Sequence, residues 1–202
     1  SDKLTLNMEW DISRSAYGRL FIGSMLPLNA TRCLYLDCDM IICGSLYPLY
    51  VMRMHGNSIA AVQDSVNALT KEAVGLDRRE RYFNSGFLLI DLNKWRSTDV
   101  EPACLDFIAQ HQGRITHHDQ GVLNGLFHQD VSILPLRYNV MTIHYIMSRA
   151  RILKYFREES LFYCEEEIAQ AKTHPVVLHY TPSFTSRPWM RTCRHPLKKL
   201  YW

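Results

Sequence analysis

Two aspartates separated by one residue stand at the end of an apolar run. Asp37 and Asp39 follow the run 32–36, and a second apolar run begins at Met40. Side chains two positions apart in an extended segment point the same way, and two such carboxylates repel each other unless a cation lies between them. A hard divalent ion satisfies both and keeps positions open for phosphate oxygens. An isolated Asp-x-Asp is more often a turn or a cap, but its place between two apolar runs favours a metal site.

A histidine at the end of another apolar run is the second candidate ligand. His179 closes the run 175–179, where a histidine is often only a surface or core residue. Ligands of open α/β sheets bind at the carboxyl ends of the strands. We therefore expect His179 at the same sheet edge as Asp37 and Asp39. Two carboxylates and an imidazole suit Mn²⁺ better than Ca²⁺, with Mg²⁺ as an alternative.

Short apolar runs alternate along the chain with segments of helical spacing. This alternation predicts an α/β fold, with a sheet flanked by helices on both faces. The apolar runs predict buried parallel strands at 33–37, 58–62, 86–90 and 176–179. The helical spacing predicts helices at 13–26, 99–110, 118–127 and 165–172. The segment 141–159 is the least regular and is expected to be a mobile loop over a site.

The composition is that of an ordinary globular protein of 202 residues, with 47% apolar and 21% charged residues. The net charge of +3 is small and the basic residues are dispersed, so nucleic acid is not an expected partner. Only the segment 187–199 concentrates basic residues, close to aromatic ones, and such a segment can sit on an anionic membrane surface. A solvated final helix explains it equally well.

The six cysteines form no Cys-x-x-Cys pair. Three of them, Cys33, Cys38 and Cys43, lie in one apolar stretch and are expected to be small buried residues. We infer a reducing compartment and therefore a cytoplasmic protein. Such a protein can also attach peripherally to the inner face of the membrane.

Five blocks of the sequence, in this order, resemble the family 8 glycosyltransferases of the GT-A fold, which include bacterial lipopolysaccharide and capsule galactosyl- and glucosyltransferases and relatives of glycogenin. The resemblance covers nearly the whole chain. The blocks are Ser-Ala-Tyr-Gly-Arg-Leu at 15–20, Leu-Tyr-Leu-Asp-Cys-Asp at 34–39, Tyr-Phe-Asn-Ser-Gly-Phe-Leu-Leu-Ile at 82–90, His-Asp-Gln-Gly-Val-Leu-Asn at 118–124, and His-Tyr at 179–180 followed by Arg-Pro-Trp at 187–189.

The resemblance implies a retaining transferase that moves a hexose from a UDP-sugar to a hydroxyl of a glycan or lipid-linked acceptor. It implies that Asp37, Asp39 and His179 hold a metal that bridges the donor diphosphate. It also implies roles for six other residues. Arg19 would contact the donor, Asn84, Asp119 and Gln120 would line the sugar pocket, Asp64 would lie near the acceptor and the sugar, and Arg187 would clamp the diphosphate.

The chain departs from the family pattern at both ends. The family's last motif has a glycine after the His-aromatic pair and a lysine before Pro-Trp, whereas here two extra residues intervene and Arg187 replaces the lysine. The family also opens with a strand that binds the nucleotide base, and only fourteen residues precede Ser15 here. We expect a single GT-A catalytic domain over 1–202, truncated at its start, that binds sugar nucleotide poorly by itself.

Retention of configuration needs a carboxylate nucleophile or attack from the face of the leaving group. The family position next to the anomeric carbon holds Gln120, and an amide is a poor nucleophile. We therefore expect same-face attack, with Gln120, Asp119 and Asp64 as the residues around the reacting centre.

Two alternatives stay open. A strand that ends in Asp-x-Asp is also typical of haloacid-dehalogenase-like phosphatases, for which Lys71 and the acidic pair at 165–166 are the nearest further candidates. The other alternative is an inactive module that binds carbohydrate or a protein partner.

Overall fold

The computed structural model describes residues 14–182 and 184–202. Its longest strand, β4 (Phe83–Asp91), lies inside a four-stranded sheet. That sheet has the order β1-β4-β3-β5, and a second sheet has the order β2-β7-β6. The other strands are β1 (Arg32–Leu36), β2 (Met40–Ile42), β3 (Ile59–Gln63), β5 (Val131–Ile133), β6 (Val140–Met141) and β7 (Val177–His179).

The two central strands of the four-stranded sheet, β3 and β4, are buried on both faces. Side chains alternate across a strand, so Leu88 and Ile90 of β4 enter one apolar cluster, while Phe87 and Leu89 enter another on the opposite face. Both clusters are completed by helices and loops, which explains why the strands read as continuous apolar runs.

The prediction that these strands are parallel is wrong for most of their pairings. β4 pairs antiparallel with both β1 and β3, and β7 pairs antiparallel with β2, while in the described part of the chain only β3–β5 and β6–β7 are parallel. A strand that is buried on both faces is apolar throughout in either orientation, so its sequence does not reveal the direction of its neighbours. The amino end of β4 therefore meets the carboxyl ends of β1 and β3 at one sheet edge.

The α-helices confirm three of the predicted segments. Helix α5 (Val100–Gln110), helix α6 (His118–Phe127) and helix α9 (Glu165–Thr173) lie where the helical spacing places them. The others are α1 (Ile22–Met25), α2 (Tyr47–Tyr50), α3 (Ala68–Glu72), α4 (Leu92–Ser97), α7 (Thr142–Ile146) and α8 (Arg149–Phe156), and 3-10 helices span Arg14–Phe21, Leu136–Tyr138 and Lys198–Leu200.

Three further expectations are corrected. The predicted helix 13–26 is a 3-10 helix followed by α1, and Ser13 lies outside the described residues. The segment 141–159 is not a loop, because it contains α7 and α8. Cys38 and Cys43 are exposed rather than buried, because the chain leaves the sheet between β1 and β2 and again after β2.

Helix α6 is held close to the start of β4 by one buried side chain. The amide of Asn124 accepts from the main-chain N–H of Phe83 and donates to its carbonyl, both at 2.8 Å. A side chain at position 121 would place its Cβ 2.2 Å from the carbonyl oxygen of Thr116, so Gly121 allows the preceding loop to pack on the helix. These contacts bring the first turn of α6 to the sheet edge described above.

Among the described residues, no helix combines the length and the apolar character that a bilayer crossing requires.

Candidate metal centre and adjoining polar pocket

Three candidate ligands meet where the two sheets adjoin. Asp37 directly follows β1, Asp39 directly precedes β2, and His179 ends β7, opposite Met40 in the pairing with β2. One ligand atom from each of the three residues lies within 4.8 Å of the others. Two carboxylates and an imidazole at this separation are a donor set that suits a divalent transition metal.

Asp37 is oriented by two donors. The Tyr35 hydroxyl donates to Oδ1 at 3.0 Å, and the Arg19 guanidinium donates to the same oxygen at 2.9 Å. The main-chain N–H of Asp37 also donates to the carbonyl of Gly86 at 2.8 Å, which continues the β1–β4 pairing to the ligand itself. The carboxylate is therefore fixed at the sheet edge before any ion binds.

His179 is neutral near pH 7 and presents a nitrogen to the centre. Burial lowers the pKa of His179 to about 4. Its Nδ1 lies 2.9 Å from Oδ1 of Asn139, and its Nε2 lies 3.3 Å from Oδ1 of Asp39. A neutral imidazole with its proton on Nδ1 turns the Nε2 lone pair toward a carboxylate oxygen, an arrangement that a cation between them stabilises.

Gly86 leaves the room that this donor set needs. A Cβ at position 86 would lie 2.7 Å from Oδ2 of Asp37 and 2.7 Å from Cε1 of His179. Two candidate ligands thus pack directly over the backbone of β4, so the residues present fit a bound metal ion.

Arg187 is the cation that faces Asp39. Its guanidinium forms an ion pair with Oδ2 of this aspartate, which is 3% exposed. The guanidinium also lies 5.9 Å from the ring of Trp189, and Arg187 is itself part-exposed. A positive group at the rim of the centre, reachable from solvent, suits an anionic ligand.

Arg19 connects the candidate metal centre to the polar side chains beside it. Besides its contact with Asp37, its Nε lies 3.0 Å from Oδ2 of Asp119, and its Nη1 donates to the carbonyl of Ser85 at 2.6 Å. The guanidinium also stacks over Tyr35, 4.4 Å from the ring centroid. Arg19 therefore fixes two carboxylates and one strand end at once.

The polar pocket is our name for the cluster of Asp64, Asn84 and Gln120, two amides and one carboxylate that are joined by hydrogen bonds. Asn84 and Gln120 both donate to Oδ2 of Asp64, at 3.0 and 3.1 Å. Asn84 also donates to Oε1 of Gln120 at 3.2 Å, and the main-chain N–H of Ser85 donates to the same oxygen at 3.0 Å. Planar groups held in this way can offer both donors and acceptors to the hydroxyls of a sugar.

Asp119 is buried between this pocket and Arg19. Burial raises the pKa of Asp119, and the Arg19 guanidinium and a hydrogen bond from the Ser85 hydroxyl at 3.1 Å oppose that shift. Its main role in the described contacts is to hold Arg19 in place. Asp119 lies in the first turn of α6, and the residue that precedes this helix is His117.

All nine residues singled out in the sequence belong to this one network of contacts. It runs from Arg187 through Asp39 and His179 to the pocket, and from Asp37 through Arg19 to Asp119. Sequence reasoning missed Asn139, Ser85, Gly86 and Tyr35 as site residues. The last three lie inside the family-like blocks, whereas no pattern in the sequence singles out Asn139.

The residues that a phosphatase would need are not arranged around Asp37. Lys71 is buried, and its ammonium contacts a carboxylate oxygen of Glu158 at 2.5 Å and the carbonyl of Arg78 at 3.0 Å. Glu165 and Glu166 are exposed in the first turn of α9.

Comparison with known proteins agrees with the resemblance inferred from the sequence. The chain is 30% identical over 193 residues to the lipopolysaccharide 1,2-glucosyltransferase of Escherichia coli K12, an alignment that covers 94% of this chain and 53% of that protein. It is 27% identical to a probable glycosyl transferase, Gly, of Streptococcus gordonii, over 98% of this chain and 25% of that protein. The chain thus spans between a quarter and about half of the length of these two relatives.

The fold is also shared with solved glycosyltransferases. The galactosyltransferase LgtC, solved with donor and acceptor sugar analogs, superposes with a TM-score of 0.75 at 28% identity, over 98% of this chain and 67% of that one. This likeness confirms the predicted GT-A fold, with its sheets flanked by helices. The profile of the family described as "Glycosyl transferase family 8" matches residues 2–193. With nearly the whole sequence matched on a shared fold, the chain belongs to glycosyl transferase family 8.

Proposed function

We propose that this chain is the catalytic GT-A domain, over residues 1–202, of a retaining glycosyltransferase. It moves a hexose from a UDP-sugar to a hydroxyl of a glycan or lipid-linked acceptor, in the synthesis of bacterial surface polysaccharide or lipopolysaccharide. The lipopolysaccharide 1,2-glucosyltransferase activity of the E. coli relative and the sugar analogs bound to LgtC support this assignment.

The observation that carries the proposal is the meeting of two carboxylates and an imidazole within 4.8 Å, beside a pocket of amides. We infer that Asp37, Asp39 and His179 hold Mn²⁺, with Mg²⁺ as the alternative. When bound, such an ion supplies Lewis-acid stabilisation of the charge that grows on the departing diphosphate.

The two arginines at the centre add fixed positive charge. Arg187 is part-exposed at the rim and is placed to clamp a diphosphate, while Arg19 supports the donor side through its contacts with Asp37 and Asp119. Charges that are already oriented in a partly dry site lower the cost of forming negative charge there.

The pocket favours same-face transfer over a covalent intermediate. Oδ2 of Asp64 already accepts from two amides, and Asp119 is bound by Arg19 and the Ser85 hydroxyl. A carboxylate that is engaged in this way is a weak nucleophile, and the amide of Gln120 is a weaker one. In this proposal Asn84, Asp119 and Gln120 bind the sugar, and Asp64 lies toward the acceptor.

A cytoplasmic location with contact to the inner membrane face fits this role. The segment 187–202 exposes Trp189, Met190, Leu200 and Trp202 beside the exposed cations Arg191, Arg194 and Lys199. Apolar rings among basic groups favour an anionic lipid surface.

The test measures Mn²⁺ binding by calorimetry and hexose release or transfer from UDP-glucose and UDP-galactose in the full-length gene product. We expect Asp39→Asn to weaken Mn²⁺ binding by about tenfold to a hundredfold and to lower transfer in parallel, because one of two charged ligands is lost. Asp106→Asn, an exposed aspartate on α5, is the matched control and should change neither quantity.

Three results would contradict the proposal. If Asp39→Asn does not change the Mn²⁺ affinity, the proposed metal centre is contradicted. Metal binding without release of hexose from either UDP-sugar would favour the inactive binding module. Release of phosphate from an aryl phosphate without any nucleotide would favour the phosphatase.

A further inference from the structure

Two side-chain amides link the histidine of the metal centre to the polar pocket. Oδ1 of Asn139, a fully buried residue, lies 2.9 Å from Nδ1 of His179. The nitrogen of the same amide donates to Oδ1 of Asn84 at 2.9 Å, and Asn84 donates in turn to Asp64 at 3.0 Å. Asn139 therefore contacts a candidate metal ligand on one side and the pocket on the other.

The direction of this chain is fixed by groups whose hydrogen-bonding polarity cannot reverse. A main-chain N–H can only donate, and that of Gly86 donates to Oδ1 of Asn84 at 3.1 Å. On its other side Asn84 faces the carboxylate of Asp64, which accepts. The oxygen of Asn84 must therefore face Asn139, and the NH₂ group of Asn139 donates to it. This leaves only the oxygen of Asn139 for His179.

We propose that Asn139 is a positioning residue that sets the tautomer and the ring orientation of His179. Both ring nitrogens face an oxygen, Nδ1 that of Asn139 at 2.9 Å and Nε2 that of Asp39 at 3.3 Å. The contact with Asn139 is the shorter one, and the charge of Asp39 is already paired with Arg187, so the proton is placed on Nδ1 and the Nε2 lone pair is directed to the candidate centre. Free imidazole side chains in water prefer the proton on Nε2, the form that cannot bind a metal through that atom. Asn139 reverses this preference before any ion is present.

The same amide chain couples the metal centre to the sugar side of the site. Asn84, which holds the NH₂ group of Asn139, also donates to Oε1 of Gln120 at 3.2 Å. A change at Asn139 is therefore transmitted to both the imidazole and the pocket. This inference rests on the proposed function for the meaning of the site, but the tautomer itself is a property of the metal-free chain.

The first test needs no variant. Two-bond ¹H–¹⁵N correlation spectra of the metal-free, ¹⁵N-labelled protein report which ring nitrogen of each histidine carries the proton, and the His179→Gln variant assigns the signal. We expect His179 to carry its proton on Nδ1 near pH 7. A proton on Nε2 would overturn the proposal.

Variants then separate a positioning role from a merely structural one. Asn139→Ala removes the acceptor, so we expect the His179 proton to move to Nε2 and the calorimetric Mn²⁺ affinity to fall by about tenfold to a hundredfold. Asn139→Asp, unlike Asn139→Ala, keeps an oxygen toward Nδ1 of His179, so the proton should stay on that nitrogen. An Asn139→Ala protein with the wild-type tautomer and Mn²⁺ affinity would overturn the proposal.

The matched control is Thr142→Val. Thr142 is as deeply buried as Asn139, and its hydroxyl donates to the carbonyl of Thr181 at 2.8 Å, outside the amide chain. Its loss should leave the tautomer and the Mn²⁺ affinity unchanged, and an effect equal to that of Asn139→Ala would contradict a specific role. If instead the proposed function is wrong, the Asp39→Asn variant will bind Mn²⁺ as tightly as the wild type, while His179 still carries its proton on Nδ1. The two failures can therefore be told apart.

Discussion

Gly86 determines how closely the candidate ligands approach the sheet. A Cβ at this position would meet Asp37 and His179 at 2.7 Å each, well inside ordinary contact. Neither neighbour can easily move away, because Asp37 is held by Arg19 and Tyr35, and His179 is held by Asn139. The absence of a side chain at Gly86 is thus part of the candidate metal centre.

We expect Gly86→Ala to weaken Mn²⁺ binding by about tenfold or more, because the two ligands are pushed apart. Overpacking should also lower the free energy of unfolding by about 1–3 kcal/mol. Calorimetric titration and urea denaturation measure the two effects.

Gly44→Ala is the control for this prediction. A Cβ at position 44 meets Val176 at 3.6 Å, an ordinary contact distance. Equal Mn²⁺ affinities for the two variants would show that the close approach at Gly86 is not required.

The sequence identifies the candidate ligands but not the residues that hold them in place. Asp37, Asp39 and His179 are recognisable because ligand types stand at the ends of apolar runs. Asn139 acts through partners 40 and 55 positions away along the chain, so no local pattern reveals it.

Among the elements, helix α4 holds the segment that leads into β1. The guanidinium of Arg96 donates to five main-chain carbonyls at the end of α1 and in the loop after it, namely those of Gly23, Leu26, Pro27, Leu28 and Ala30. No further helical turn follows to donate hydrogen bonds to these carbonyls, and the guanidinium of Arg96 donates to them instead. The path of the chain between Arg19 and Asp37 is fixed in this way.

We expect Arg96→Lys to destabilise the protein by about 2–4 kcal/mol, since an ammonium cannot reach five acceptors in the same geometry. The loss should be greatest in the segment 26–31, measured as faster amide hydrogen exchange there than in α5.

Arg78→Lys is the matched control, because Arg78 is exposed and its surface ion pairs with Glu72 and Glu159 contribute little. If amide hydrogen exchange in the segment 26–31 is unchanged in the Arg96→Lys protein, the hydrogen bonds of Arg96 do not hold this segment.

Element prediction succeeds where the periodic signal is long. Helices α5, α6 and α9 span nine to eleven residues and show their spacing clearly. Helices α2, α3, α4 and α7 span only four to six residues, less than two turns, so no periodic pattern develops. Their positions are set by packing on the sheets rather than by local sequence.

On the scale of the whole molecule, the alternation of runs and helices predicts the fold class, which the likeness to LgtC confirms. Strand direction is a property of pairing between distant segments, and composition does not encode it. The three candidate ligands meet even so, but between two sheets rather than at one sheet edge, because antiparallel pairing places Met40, which follows Asp39, opposite His179 at the end of β7. Antiparallel β4 likewise brings its amino end, with Asn84 and Ser85, to the carboxyl ends of β1 and β3.

Burial of neutral histidines makes the stability of the molecule depend on pH. His144 is fully buried and stacks against Phe162, and burial lowers its pKa to about 4, so it is uncharged in the folded protein near pH 7. His195, which is also buried, has its pKa lowered to about 4 by the same cause. In the unfolded chain both imidazoles return to a pKa of about 6.5. Between these values the unfolded state binds more protons than the folded state.

It follows that stability is fully present above about pH 6.5 and is lost as the pH falls toward 4. The loss is on the order of 3 kcal/mol for each histidine at the acid end. We expect His144→Gln, which cannot take up a proton, to flatten this dependence when urea midpoints are compared between pH 7.5 and pH 5. His174→Gln, at an exposed position, should keep the wild-type slope. Equal slopes in the wild type and the His144→Gln protein would mean that His144 is protonated to the same extent in the folded and unfolded states, so that its burial excludes no charge.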